Sequence, residues 1–162
     1  MYVMAIDPGP VVSGHVMLQV SERDIHVANW GCEGNDDVAE LVSRHGQVTD
    51  DARLVVEKTV YYGRMVNAAI FETCVQTGRF MEAFGFHDTE RMSRGEVLRE
   101  LCGTTHAGPP QLRAAVLDHW GGNEKAVGTK KAPGPLYGIK GKDVWSALGL
   151  GLAYIKTRRE DG

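Results

Sequence analysis

Two apolar runs in this chain end in a carboxylate: Tyr2-Val-Met-Ala-Ile-Asp7 and Leu54-Val-Val-Glu57. A buried strand that delivers an anion to its tip holds that anion still, and two such strands side by side imply a divalent cation between them. A third acid, Asp143, falls in the first turn of what reads as the closing helix, directly after a basic loop. Three carboxylates of this kind can bind two ions roughly 3.5–4 Å apart, one lowering the pKa of an attacking water and the other stabilising the leaving oxygen. Oxygen ligands suit Mg²⁺ or Mn²⁺ better than zinc. The chemistry indicated is metal-dependent phosphoryl transfer. Taken singly, Asp7 reads at least as well as an Asx turn before Pro8-Gly9, and Asp143 as a helix-start acid facing the dipole. The three together, in a β-β-β-α-β-α order, favour the site.

The elements that must position these acids follow from pattern and punctuation. Tyr2–Asp7, Gly14–Val20 and Asp24–Trp30 read as extended, with Pro8-Gly-Pro10 and Ser21-Glu22-Arg23 as turns, which predicts an antiparallel meander. Asn35 or Asp36 can cap a helix to about His45, and Leu54–Glu57 is the next strand. Over Arg64–Phe84, the apolar spacing of Val66, Ile70, Cys74, Gly78 and Met81 predicts a long helix. Phe86–Met92 reads as a short strand and Ser93 as the cap of a helix stopped by Gly103. A further helix follows Pro109-Pro110. The last runs from about Lys142 to Arg158 and packs through Ala147, Leu148, Leu150, Gly151 and Tyr154.

At 162 residues, 43% apolar and 24% charged, the chain has ordinary globular composition, and a single domain over 1–162 is expected. No apolar run approaches the roughly 18 residues of a membrane span, and Met1 leads straight into a strand without a signal pattern. A cytoplasmic protein without membrane partners is the expectation. Cys32, Cys74 and Cys102 are odd in number and widely spaced, so they read as small buried hydrophobes. The six histidines have no metal-ligand spacing and read as surface or satisfied core residues. Gly138-Ile-Lys-Gly-Lys142 lacks the spacing of a nucleotide-binding loop, so no nucleotide cofactor is expected.

The net charge of −3 conceals an asymmetry. Residues 1–90 carry 6 Lys/Arg against 14 Asp/Glu, whereas residues 91–162 carry 12 against 7. Lys125, Lys130, Lys131, Lys140 and Lys142 lie in a Gly/Pro-rich stretch that reads as irregular throughout. A long basic loop of this kind can grip a phosphate backbone or serve only as a solvated loop.

Three segments carry a family resemblance. Ala5-Ile-Asp-Pro-Gly9, Val55-Val-Glu57 and Lys142-Asp-Val-Trp-Ser-Ala-Leu-Gly-Leu-Gly-Leu-Ala153 resemble the three motifs of RuvC-type Holliday-junction resolvases, in their phage and prophage branch. Leu98–Gly103, Gln111–Trp120 and the stretch from Gly121 to Gly138 are similar to that branch in order and spacing. The resemblance implies a ribonuclease H-like α/β fold: a mixed five-stranded sheet, antiparallel meander then parallel strands, flanked by helices. It further implies a homodimer, Mg²⁺ and paired nicking of four-way DNA junctions to give ligatable ends.

Carried over, Asp7 is the carboxylate shared by both metals, Glu57 a second ligand and Asp143 the ligand from the last helix. Bacterial members usually place a second acid three residues further on, where this chain has Ser146, on the face of Asp143. A neutral hydroxyl there implies a less tightly held ion, a preference for Mn²⁺, or a shell completed by water and phosphate. The family's junction-stacking aromatic falls at Val60, with Tyr61 and Tyr62 just behind. Lys58, Tyr61, Tyr62, Arg64, Lys125, Lys130, Lys131, Lys140 and Lys142 form the expected DNA-binding set. Three alternatives keep parts of this pattern: a branched-DNA binding module that does not cut, a ribonuclease H-like enzyme acting on RNA or hybrid, and an actin-like phosphate-binding domain.

Overall fold

Strand β1 (Tyr2–Asp7) is buried along its middle, and its side chains divide by parity. Val3 and Ala5 enter one core, Met4 and Ile6 the other. Alternation is the geometry of a strand, and apolar residues on both faces mark this one as central. In the computed structural model, which describes residues 1–48, 50–61, 63, 65–85 and 88–160, β1 pairs antiparallel with β2 (Val12–Val20). β2 pairs antiparallel with β3 (Ile25–Gly34). On its other edge β1 runs parallel to β4 (Ala52–Lys58), and β4 parallel to β5 (Thr89–Ser93). The order β3-β2-β1-β4-β5 is the expected mixed five-stranded sheet.

Helices cover both faces. α1 (Asn35–Val48) and α2 (Ala68–Phe84) bury Val38, Val42, Phe80 and Met81 against Met4, Ile6, Leu54 and Val56. The opposite face carries α3 (Arg94–Cys102), α4 (Pro109–His119) and α6 (Lys142–Glu160), with the single turn α5 (Asn123–Ala126) beside them. The expected face of α6, Ala147, Leu148, Leu150, Gly151 and Tyr154, is buried. It lies close on the sheet because Gly151 has no side chain: a Cβ there would stand 2.8 Å from Leu18 Cδ1 and 3.1 Å from Ala5 Cβ. Ser93 and Glu96 form the capping box of α3, and Gly103 ends that helix at φ 71°. Among the described residues, no helix is long and apolar enough to cross a membrane.

Several expectations need correction. β3 continues past Trp30 to Gly34 because its register with β2 extends to the pair Val12–Gly34. α2 begins at Ala68 rather than Arg64; Asn67 caps it, its side chain accepting the Ile70 N–H at 3.1 Å. The buried face of α2 is Thr77, Phe80 and Met81, so of the expected stripe only Met81 is covered, and Cys74 and Gly78 face outward. Cys32 is also exposed and Cys102 half-buried, so the cysteines are not core hydrophobes. The strand expected over Phe86–Met92 is Thr89–Ser93; Phe86 and His87 lie outside the described residues. The basic stretch is not wholly irregular. It holds α5 and an isolated bridge between Gly128 and Pro133, and buried Leu136 and Ile139 pin it to the core. Of the histidines, His15 is buried beside Glu33, and buried His45 bonds through Nε2 to the Arg53 carbonyl at 3.1 Å.

Candidate active site

Strand parity and register bring the three acids together. Val3 and Ala5 face the helical layer of α6, so Asp7, two residues on, faces it too; Val55 sets the same face for Glu57. The parallel register runs to the pair Ile6–Val56, and one step beyond it Asp7 lies beside Glu57. In the antiparallel direction Asp7 is opposite Gly14. A Cβ on Gly14 would lie 2.4 Å from the backbone carbon of Asp143 and 2.8 Å from its Cβ. The first turn of α6 therefore rests on a strand position stripped of its side chain, which sets Asp143 over the tip of β1. All three acids sit at the carboxyl ends of the parallel strands, where open α/β sheets place their ligands.

The turn after Asp7 is tied down by a closed set of hydrogen bonds. The Gly9 N–H donates to Ser13 Oγ at 3.1 Å, Ser13 Oγ donates to Asn35 Oδ1 at 2.7 Å, and Asn35 Nδ2 donates to the Gly9 carbonyl at 3.0 Å. Ser13 and Asn35 are buried. Asn35 opens α1, but its side-chain amide is directed to this turn.

Anionic crowding dominates the electrostatics. Burial first, then the charges of Glu57 and Asp143, push the Asp7 carboxyl up to about 7, while Arg94 and the Ser146 hydroxyl pull the other way. Burial also raises Glu57, and Arg94 opposes that shift. Arg94, first residue of α3, donates from Nη1 to Ser146 Oγ at 3.1 Å and stands 3.9 Å from Glu57 Oε2. That gap is an ion-pair distance but too long for a hydrogen bond. Glu57 Oε2 is consequently buried with no hydrogen-bond partner.

These features fit a hard divalent cation. The donors are all oxygen, one is an orphaned buried carboxylate oxygen, and Asp7 is held with excess negative charge around it. Among the described residues no three acidic, His or Cys side chains form by themselves a group that could hold a metal ion. The arrangement matches the habit of Mg²⁺, which is bound through one or two carboxylates and completed by waters and substrate phosphate.

Beside the acids opens a cleft of about 910 Å³, lined among others by Glu57, Arg94, Arg113, Lys140, Lys142, Asp143 and Ser146. Lys142 also lines a smaller cleft of about 210 Å³ with Asp7, Pro8, Gly9, Pro10, Val12 and Asp143. Of the expected DNA-binding residues, Lys140 and Lys142 thus line clefts shared with the acids. Lys58 is exposed near Glu96 at the start of α3. Lys125, in α5, and Lys130 and Lys131, in the loop after it, are exposed and line neither cleft. Tyr61, 70% exposed, lines a separate apolar groove with Val60, Met65, Val66, Ile70 and Phe71. Tyr62 and Arg64 lie outside the described residues.

Sequence reasoning missed Arg94 and Arg113. For Arg94 a signal was present: a cation in the first turn of a helix opposes the dipole and calls for a compensating anion. Arg113 carries no comparable mark; its guanidinium lies over the Trp145 ring, 4.3 Å from the centroid.

No protein-family model matches the sequence, and no curated protein does. Solved structures do match. The RuvC of Thermus thermophilus in complex with Holliday junction substrate aligns over 99% of this chain and 96% of its own, at 17% identity and a TM-score of 0.73. A second structure of Thermus thermophilus RuvC gives 0.71 over 99% of this chain and 97% of its own, at 17% identity. The Fowlpox virus resolvase with its substrate Holliday junction DNA gives 0.55 over 98% and 99% at 13% identity. At such identities the likeness speaks for the fold, and this chain has the ribonuclease H-like fold that its three motifs led one to expect.

Proposed function

We propose that this chain is a metal-dependent endonuclease that resolves four-way DNA junctions by paired phosphodiester hydrolysis, acting as a homodimer in the cytoplasm of a phage-bearing host. The observation that carries this reading is the placement of Asp7, Glu57 and Asp143 at the strand ends beside a cleft lined by basic residues. A bound Mg²⁺ or Mn²⁺ supplies a lowered water pKa and stabilisation of developing charge, at the two cationic positions such hydrolysis uses. Asp7 and Asp143 would hold an ion at the first position, and Glu57 and Ser146 would flank the second. Lys140 and Lys142 seat the scissile phosphate. In the reaction, water oxygen bonds to phosphorus and the bond to the 3′ oxygen breaks. The water's proton ends on that oxygen, leaving a 5′ phosphate and a 3′ hydroxyl.

The DNA arms are assigned to Lys58, Lys125, Lys130 and Lys131, with Tyr61, Tyr62 and Arg64 at the junction centre, where an exposed tyrosine offers a stacking face. Replacing Lys125, Lys130 and Lys131 together by Ala is expected to weaken junction binding and to flatten its salt dependence by about 0.9 in log–log slope for each phosphate no longer neutralised. An unchanged slope removes the loop from the interface.

Dimerisation is assigned to α2 and the segment before it. Met65, Phe71 and Val75 are 95%, 65% and 61% exposed, with Cys74 beside the last two, which leaves apolar surface uncovered on α2 and just before it. Phe71→Glu is expected to turn a dimer into a monomer in sedimentation at micromolar concentration. A wild type already monomeric there contradicts the assignment.

The substrate class is tested by incubating equal-length four-way junction, duplex and RNA–DNA hybrid with the protein and Mg²⁺ or Mn²⁺. Preferential cutting of the junction is the expected result. Preferential cutting of the hybrid replaces this reading with a ribonuclease H-like one, and tight junction binding without cutting replaces it with a binding module.

A further inference from the structure

We propose that the Arg94 guanidinium occupies the second cationic position of this centre, so that the chain works with one bound divalent ion and one fixed arginine. The inference rests on the reading above and specifies how its site is built. Arg94 reaches between the two groups that flank that position: its Nη1 donates to Ser146 Oγ at 3.1 Å and lies 3.9 Å from Glu57 Oε2. Its side chain is only 30% exposed and lines the cleft that also holds Asp143.

Three physical arguments converge on this role. First, Arg94 opens α3, where the helix dipole disfavours a cation, so the helix does not account for an arginine there and the facing anions do. Second, Ser146 is on the Asp143 face of α6 but carries no charge. A hydroxyl accepts a guanidinium N–H well and is a poor ligand for a second Mg²⁺. Third, the charges of the three carboxylates are balanced by one divalent ion together with one guanidinium. A second divalent ion would add excess positive charge directly against Arg94, a close like-charge repulsion in a partly buried place. The influence of Arg94 on both Asp7 and Glu57 agrees with its central placement.

At this position a planar guanidinium can meet the phosphate or the oxygen from which phosphorus departs, supplying preorganised positive charge. Unlike an ion, it is always present and does not depend on metal concentration.

The test counts ions and then removes the arginine. Mn²⁺ is titrated into the full-length protein and followed by electron paramagnetic resonance, for wild type, Arg94→Ala, Arg94→Lys and the double variant Arg94→Ala with Ser146→Asp. Junction binding and cutting are measured in parallel. The wild type is expected to bind one Mn²⁺ per chain, and Arg94→Lys to keep that count. The double variant is expected to bind two. Arg94→Ala is expected to lose about 100-fold in cutting with junction affinity held within a few-fold, and to regain part of the rate when guanidinium is added. Two Mn²⁺ of similar affinity in the wild type, no Mn²⁺ bound at all, or unimpaired cutting by Arg94→Ala would overturn the assignment. One ion in the wild type and two in the double variant, with no junction cut by either, would retain the arginine's place and reject the junction reading.

Discussion

Asp7→Asn is expected to lower junction cutting by about 1,000-fold while making the metal-free protein more stable. Both effects have one origin. The fold places the Asp7 carboxyl in a partly buried position beside two other acids, which pushes it from 3.8 to about 7. A carboxyl whose pKa is raised on folding binds its proton more tightly in the native state than in the unfolded chain. Its contribution to stability is therefore fully present below about pH 4 and is lost as pH rises toward 7. Asn has no proton to lose and escapes that loss. Its advantage over wild type should grow between those pH values and level off above them, at on the order of 2 kcal/mol, about half of what a shift of that size carries in full. Thermal melts of both proteins in EDTA across pH 4–9 would show it. Adding Mn²⁺ at pH 8 should raise the melting temperature of the wild type and leave that of Asp7→Asn nearly unchanged. Equal stability of the two proteins in EDTA at all pH values would contradict the electrostatic account of the site.

Gly14→Val is expected to produce the second largest effect, through geometry alone. The added Cβ would lie 2.4 Å from the backbone carbon of Asp143, and neither a strand in mid-sheet nor the first turn of a helix can yield by rotating a side chain. The first turn of α6 must lift, taking Asp143 and Lys142 away from Asp7. A loss of about 3 kcal/mol is expected, or roughly 6–12 °C in melting temperature for a chain of this size, together with loss of cutting. Gly151→Ala is the control. Its added Cβ would meet the movable end of Leu18 at 2.8 Å and Ala5 Cβ at 3.1 Å rather than backbone, so a smaller stability loss and cutting within a few-fold of wild type are expected. Equal losses of cutting in both variants would mean that α6 packing in general, and not the Gly14 seat, sets the acids in place.

The acids are legible in the sequence because of where they fall. An apolar run ending in a carboxylate is a strand with its tip marked, and the alternation along β1 and β4 fixes which face that tip presents. Asp143 is legible as a helix-start acid, but what seats it is the missing side chain at Gly14, which a linear reading shows only as one glycine among twenty. Arg94 is legible only as a helix-start cation, and not as a partner of these acids. Its place depends on β5 running parallel to β4 with Lys58 beside Ser93, a pairing that no local pattern encodes.

The corrected expectations share a cause as well. Val66, Ile70, Cys74, Gly78 and Met81 read as one helical face because apolar spacing at that period ordinarily marks one. The chain covers only the far part of α2, at Thr77, Phe80 and Met81, and leaves the nearer apolar residues bare. Helix spacing reports that a face is apolar without reporting what covers it. The start of α2 is misplaced from sequence because Val66 extends the same spacing beyond the cap at Asn67. β3 is read only to Trp30 from the sequence, whereas pairing with β2 keeps Gly31-Cys-Glu-Gly34 extended.

The most direct test of the central claim uses a supercoiled plasmid that extrudes a cruciform, treated with wild type or Asp7→Asn in Mg²⁺, Mn²⁺ or EDTA. Paired incision across the junction converts the circle to a linear product with ligatable ends, whereas independent single nicks leave an open circle. The account predicts linear product from the wild type in either metal, and none in EDTA or with Asp7→Asn. Open circle alone, or linear product that persists in EDTA or with Asp7→Asn, would contradict it.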